Sequence, residues 1–266
     1  MRSTPRMRVG ALVLRHYYLF RGSWPRILEM AYWPTINMLV WGLTSQFLAG
    51  NSNWVAQASG VFIGAVLLWD VLFRGNLGVA LAFLEEMWSR NLGQLFVSPL
   101  RPIELVAAMM IMSLLRTTVG ILPAALLAIP MFDFSIFKLG WPLLAFYANL
   151  LFFGAVMGLA VSSLVLRFGL GAESLAWVLI FALAPISCIY YPVSVLPAWL
   201  QPVSWALPST HVFEGLRIAM LEGRFDQGHF LSALCLNALY AIAAASLFLF
   251  VFQVARKKGL LLNVGE

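Results

Sequence analysis

Long apolar runs divided by short polar stretches organise this chain. Six segments have spanning character, roughly 27–49, 55–82, 103–130, 141–166, 174–191 and 229–255. A helix that crosses a bilayer needs about 20 predominantly apolar residues. All but the fifth reach that length, and the fifth runs into a proline-rich region. The connections are unequal. Asn51-Ser52-Asn53 and residues 131–140 are short, and 167–173, with Gly169 and Gly171, predicts a tight turn. The longest polar interruption in the first half runs from Glu85 to Glu104. It holds three acids and two arginines and ends in Ser98-Pro99-Leu100-Arg101-Pro102.

Two further stretches depart from the simple alternation. In residues 4–22 the apolar positions Val9, Leu12, Val13, Tyr17 and Phe20 form one helical stripe, with Arg8 and Arg15 elsewhere. That pattern predicts an amphipathic helix in the membrane interface, its arginines near anionic headgroups. Between 192 and 228, Pro192, Pro197, Pro202 and Pro208 recur too closely for a long helix. The stretch is nevertheless apolar, bounded or filled by Tyr190, Tyr191, Trp199 and Trp205. Short helices dipping back into the outer leaflet are expected over 192–226, a re-entrant hairpin whose irregular backbone must be covered by protein or line a cavity. Its second arm, Pro208 to Leu221, offers Glu214 and Arg217 at i, i+3, and Ser209 or Thr210 as a cap.

Composition sets the solvent. Hydrophobic residues make up 62% of the 266, charged residues 11%, and mean hydropathy is +0.88. Soluble domains carry about a quarter charged residues. The expected fold is therefore an all-α integral membrane protein of six transmembrane helices, one membrane domain over 1–266. No soluble stretch is long enough for a nucleotide-binding or catalytic domain. The net charge of +6 does not indicate nucleic acid, because the basic residues sit at the ends of apolar runs. With the N-terminus inside, the inner segments hold Arg2, Arg6, Arg8, Arg15, Arg21, Arg26, Arg90, Arg101, Arg167, Arg256, Lys257 and Lys258, against Lys138, Arg217 and Arg224 outside. Twelve against three places both termini in the cytoplasm. Met1 to Arg26 lacks an uncharged run of signal-peptide type. Cys188 and Cys235 show no metal spacing and no disulfide framework, so no metal is expected.

Candidate chemistry is sparse. Charges within spans are costly and mark function or pairing. Asp70 and Arg74, at i, i+4, can pair on one helix face, and Arg116, beside Thr117 and Thr118, needs a partner or a polar path. Gly60-x-x-x-Gly64 and Gly154-x-x-x-Gly158 allow close helix approach. Ser209 and His211 do not make a hydrolase: no nucleophile elbow or zinc-protease motif is present, and His16 and His229 lie in other predicted segments. No phosphate-binding loop occurs, so ATP-driven work would need an ATPase on another chain.

These pieces together resemble the permease of type-2 ATP-binding-cassette exporters, the group that moves drugs, lipo-oligosaccharides, O-antigen and teichoic acid. The basic helix before the first span carries the resemblance. So does the acid-rich Glu85-Glu86-Met87-Trp88-Ser89-Arg90 segment ending in Ser98-Pro99-Leu100, with Glu104 following. Tyr191-Pro192, Leu196-Pro197 and Leu207-Pro208-Ser209-Thr210-His211 to Glu214-Gly215-Leu216-Arg217 complete it. The resemblance implies that 84–96 is a cytoplasmic coupling helix docking in an ATPase subunit through Glu85, Glu86, Trp88 and Arg90. It implies an interface helix at 4–22 and an outer gate around Tyr191, Pro192, Pro197, Pro208, Glu214 and Arg217. Two copies in a bacterial inner membrane would enclose a path lined by the first, second and fifth spans, with ATP and Mg held by the partner ATPases and no cofactor here. The aromatics Trp41, Phe47, Phe62, Trp69, Trp177 and Phe181 are candidates to line that path, and Asp70, Arg74 and Arg116 are its intramembrane polar residues. Such a path suits an amphipathic or lipid-linked substrate. The alternatives are a membrane-embedded lipid-processing enzyme using Ser209, His211 and Glu214, or a proton-coupled transporter using Asp70 or Arg116.

Overall fold

The computed structural model describes residues 4–49 and 53–258, with side chains at 20, 49, 53–59 and 96 left aside. The expected outer loop at Asn51-Ser52 falls outside these residues. The described elements are helices: α1 (Pro5–Arg21), α2 (Trp24–Ala49), α3 (Asn53–Trp88), α4 (Leu92–Val97), α5 (Pro102–Phe132), α6 (Trp141–Phe168), α7 (Leu175–Ile186), α8 (Gln201–Trp205), α9 (Pro208–Leu221) and α10 (Gln227–Lys257). Short 3-10 turns lie at 136–139, 170–172 and 193–195. Prolines in the first turns of α5, α6 and α9 start those helices where no N–H is needed. Asp133, in the left-handed region at φ 51°, closes α5, and Gly169 at φ 79° closes α6.

Among the described residues, four helices are long and apolar enough to cross a membrane: Gly60–Trp88 within α3, α5, α6 and α10. The two remaining expected spans differ. The 26 residues of α2 rise about 39 Å, long enough to cross, but Asn37, Thr44, Ser45 and Gln46 dilute its apolar character. The expected fifth span stops at Ile186, not at 191. Its 12 residues rise about 18 Å, well short of a hydrocarbon core of about 30 Å.

Helix α3 is the axis of the bundle, flanked by α2, α5 and α6. Its closest neighbour is α6, and glycine is why. A Cβ on Gly154 would strike the Leu72 carbonyl oxygen, one on Gly158 the Asn76 carbonyl oxygen, and one on Gly75 would lie 2.9 Å from the Leu151 oxygen. The α6 glycine pair thus permits backbone-to-backbone packing. Gly60 and Gly64 do something else. They face the Phe134 ring and the Met220 side chain, so that pair receives loop and α9 side chains, not a helix backbone.

Polar side chains lock the apolar seams. Asn76 donates to the Ala176 carbonyl at 3.0 Å, Ser113 to the Gly75 carbonyl at 3.1 Å, and Asn237 to Asn149 Oδ1 at 3.0 Å. In hydrocarbon such groups find partners on neighbouring helices. The buried apolar residues form two clusters at opposite ends. One gathers Leu12, Met87, Leu92, Leu105, Leu166, Ala172, Phe252 and Ala255. The other gathers Met38, Ile136, Phe146, Leu183, Ile189, Leu207 and Phe213. The stretches expected on one membrane side, namely the N-terminal helix, the 88–101 connection, the 167–173 turn and the C-terminal end of α10, therefore meet at one end. The α1 stripe divides: Val9, Leu12 and Val13 pack onto the core, whereas Tyr17 stays exposed. The first half of that stripe faces protein, not the membrane interface.

Candidate functional site

The richest polar cluster sits where α1, α3 and α5 converge. The acid-rich segment is not one helix over 84–96. Helix α3 carries Glu85 and Glu86 in its last turns and continues to Trp88. Arg90, at φ 53°, turns the chain, its N–H donating to the Met87 carbonyl at 2.9 Å, and the six-residue α4 follows. Because Glu85 and Glu86 belong to α3, they point into the bundle.

There the acids are claimed by arginines distant in sequence. Glu86 is 1% exposed. Its Oε1 accepts from Arg15 Nη1 at 2.5 Å, and its Oε2 accepts from Asn91 Nδ2 at 2.7 Å. His16 donates from Nδ1 to the Leu12 carbonyl at 2.9 Å and turns Nε2 toward Glu86 Oε1 at 3.5 Å. Glu85 lies 3.3 Å from Arg116 Nη2 and 3.7 Å from Arg26 Nη1. Glu104 receives Arg8 through two nitrogens, Nη2 at 2.6 Å and Nε at 2.8 Å. Its Oε2 also accepts from the Arg101 N–H at 3.0 Å, which caps α5. That paired geometry raises the Arg8 guanidinium above its ordinary value. All three acids of the segment thereby bind α1, α2, α3 and α5 into one block. Outward it shows Trp88 (47% exposed), Arg90, Gln94, Val97 (90% exposed), Ser98 and Pro99.

Asp70 and Arg74 do not form the pair their spacing suggests. Asp70 Oδ1 accepts from Asn37 Nδ2 on α2 at 3.2 Å, and among the described residues Oδ2 has no partner. Arg74 turns toward α5. Its Nη1 lies 3.3 Å from where a Gly120 Cβ would be, and the Met30 carbonyl, which Pro34 deprives of a helical N–H, lies 2.8 Å from that point. Arg116, placed as a path candidate, reaches Glu85 instead, and Thr118 bonds the Tyr147 hydroxyl at 2.6 Å.

Two aromatic groups gather on α3 and its neighbours. Trp41 stacks on Tyr190 at 4.8 Å, and Phe62 lies 5.2 Å from Tyr190. Phe73 lies 6.5 Å from Trp69, 5.8 Å from Trp177 and 5.7 Å from Phe181. Phe47 is 73% exposed, at the far end of α2.

At the opposite end α7 breaks, and α8 and α9 supply the missing hydrogen bonds. Cys188 is left-handed at φ 53°. Arg217 Nη1 donates to the Cys188 carbonyl at 2.9 Å, and Glu214, 2.9 Å from Arg217, accepts the Val193 N–H at 2.8 Å. Ser204 donates to the Ile186 carbonyl at 2.7 Å, and the Tyr191 hydroxyl donates to the Pro185 carbonyl at 2.7 Å. Pro192 precedes a 3-10 turn, Pro197 follows it, and Pro208 opens α9. Ser209 shares a hydrogen bond with Ser187 at 2.7 Å and Thr210 one with Ser204 at 3.2 Å, so neither caps α9. His211 does gain a histidine partner. Its Nε2 donates to the Trp205 carbonyl at 3.0 Å, leaving Nδ1 to accept from His229 Nδ1 at 3.2 Å, and burial holds its imidazole below the ordinary value.

Sequence reasoning missed the long-range partners: Arg8 for Glu104, Arg15 and His16 for Glu86, His229 for His211. The one available signal was that three acids close to a membrane need nearby cations.

A family model described as ABC-2 type transporter matches residues 11–221. No curated protein matches the chain.

Proposed function

Because this chain belongs to the ABC-2 type transporter family, we propose that it is the transmembrane subunit of an exporter powered by ATPase subunits on separate chains, which hold the ATP and Mg. Six crossings are proposed, α2 and α7 joining the four strongly apolar helices, with α7 covering part of the membrane and the chain after Ile186 the rest, and both termini cytoplasmic in a bacterial inner membrane. Two copies enclose the path between α2, α3 and α7. The cargo is amphipathic, drug-like or lipid-linked. The 192–226 segment is the outer gate, braced by Glu214 and Arg217.

The observation that carries this reading is the ion-paired block. A partner pushing on 88–101 pushes on α1, α2, α3 and α5 at once, because Glu85, Glu86 and Glu104 tie them together. Coupling needs such rigidity, since a small shift is amplified only through elements that move as units. Within the coupling segment the roles divide. Glu85 and Glu86 brace the block from inside, while exposed Trp88, Arg90 and Val97 touch the ATPase. Replacing Trp88 and Arg90 together by Ala should lower ATP-driven transport about tenfold or more, on the scale of an interface anchor, with membrane insertion intact. Normal transport and ATPase stimulation in that double variant would sink the assignment. Co-purification with an ATPase bearing a phosphate-binding loop tests the partner, and its absence would favour a lipid enzyme or a proton-coupled carrier.

A further inference from the structure

Asp70 is a carboxylate that lies outside the ion-paired block. It is 6% exposed, holds one hydrogen bond, from Asn37, and its Oδ2 has no partner among the described residues. A desolvated carboxylate with a spare oxygen is a strong attractor of positive charge, because no water dilutes its field. The cation nearest in sequence, Arg74, packs against Gly120 on α5, so its charge reaches Asp70 without covering the free Oδ2.

The surroundings select the kind of cation. Trp41 and Asn37 lie one turn apart on α2, and Phe62 lies about 12 Å along α3 from Asp70. Tyr190 joins Trp41 and Phe62 in a group of three rings, each half-buried. Asn37, bonded to Asp70 and one turn from Trp41, brings that group toward the carboxylate. Phe73, one turn from Asp70 on α3, forms the second group with Trp177 and Phe181, of which Trp177 is 42% and Phe181 58% exposed. The rings touch one another, so they form a surface against which a cation stacks, not a closed cage. A buried carboxylate with an unpartnered oxygen, near aromatic surfaces, suits a soft, bulky cation that keeps hydrophobic substituents, whose charge is attracted both by the carboxylate and by ring faces. It is a poor place for a phosphate or carboxylate headgroup.

We infer that the seam of α2, α3 and α7 around Asp70 binds a hydrophobic cation, so that the cargo class is a cationic amphiphile whose charge meets Asp70 and whose apolar parts lie on Trp41, Phe62 and Phe73. The cargo assignment rests on the exporter reading; the binding site does not.

The test uses the full-length chain in phosphatidylcholine nanodiscs, without ATP. Binding of labelled tetraphenylphosphonium is compared with that of tetraphenylborate, the same shape with the opposite charge, after subtracting empty discs. The wild type should prefer the cation. Asp70→Asn keeps the side-chain shape and should weaken cation binding about tenfold or more, and Trp41→Leu, on a different helix, should weaken it several-fold, as expected for a desolvated cation on an aromatic face. Equal binding of both ions, or unchanged cation binding in both variants, overturns the site. Reconstitution with the ATPase then separates the two claims. Cation binding without ATP-driven export keeps the site and removes the exporter reading. ATP-driven export of other cargo with no cation preference keeps the exporter reading and removes the site.

Discussion

The two ends of the bundle face the same problem with different chemistry. At the basic end, charges hold helices together: Arg8 to Glu104, Arg15 to Glu86, Arg116 and Arg26 to Glu85. These pairs join residues as many as 96 positions apart, across separate helices. At the opposite end the difficulty is backbone. Helix α7 stops at Ile186, and the chain through Val193 would leave carbonyls and N–H groups bare in an apolar setting. There one ion pair, Glu214 with Arg217, is spent on capping backbone, and serines do the rest. One end is a clamp between rigid helices, and the other is irregular chain made tolerable by side chains. A rigid clamp suits a face that receives force. A set of local caps suits a segment that moves as a small unit.

The largest effect should fall on the capped end. Arg217→Ala strips two carbonyls of their donor and leaves Glu214 uncompensated, at a cost of about 3 kcal/mol. Thermal unfolding in detergent measures it, and a melting point equal to wild type would show that the caps are not needed. Glu86→Ala should cost about 2 kcal/mol, between the scales for buried and exposed pairs, because Arg15 is 37% exposed while His16 is buried. It should also free α1 to protease digestion, which Arg217→Ala should not. Arg8→Ala removes a two-pronged contact at the rim of the same clamp and should lower the melting point by less than Glu86→Ala does. High salt should narrow its difference from wild type, whereas the Arg217 variant should be insensitive to salt. Smallest is Asp226→Ala, at about 1 kcal/mol for a lost helix cap. The His229 N–H holds the Asp226 carboxyl below its ordinary value. Its contribution is therefore complete above the ordinary carboxylate range and fades as pH falls through the lowered value. A pH titration of melting in wild type against this variant checks the sign.

Much of the fold was legible in the pattern of apolar runs. The cores of α3, α5, α6 and α10 follow from run length alone, since no other structure satisfies the backbone in lipid. The clustered prolines announced irregular chain after α7, though the helix ends at Ile186 and not at 191, and the balance of arginine and lysine grouped the segments that now share one end. The Gly154 and Gly158 spacing announced close packing, yet the same spacing at Gly60 and Gly64 met side chains, because spacing does not say what arrives from outside the helix. Asp70 and Arg74 show the same limit. A four-residue offset brings two side chains to one face, but Asn37 and Gly120, on other helices, offered each a different neighbour.

By itself, then, the sequence determined the solvent, the helices, the likeness to exporter permeases and the polar segment after α3. Those are properties of composition and local period, which each stretch carries with it. Only the tertiary structure decided that Glu85 and Glu86 face inward, that α1 is bolted on by Arg8 and Arg15, and that Asp70 meets Asn37 of α2 with an oxygen to spare. The reason is that a buried charge takes whichever partner packing brings within reach, and packing joins residues that no local pattern relates.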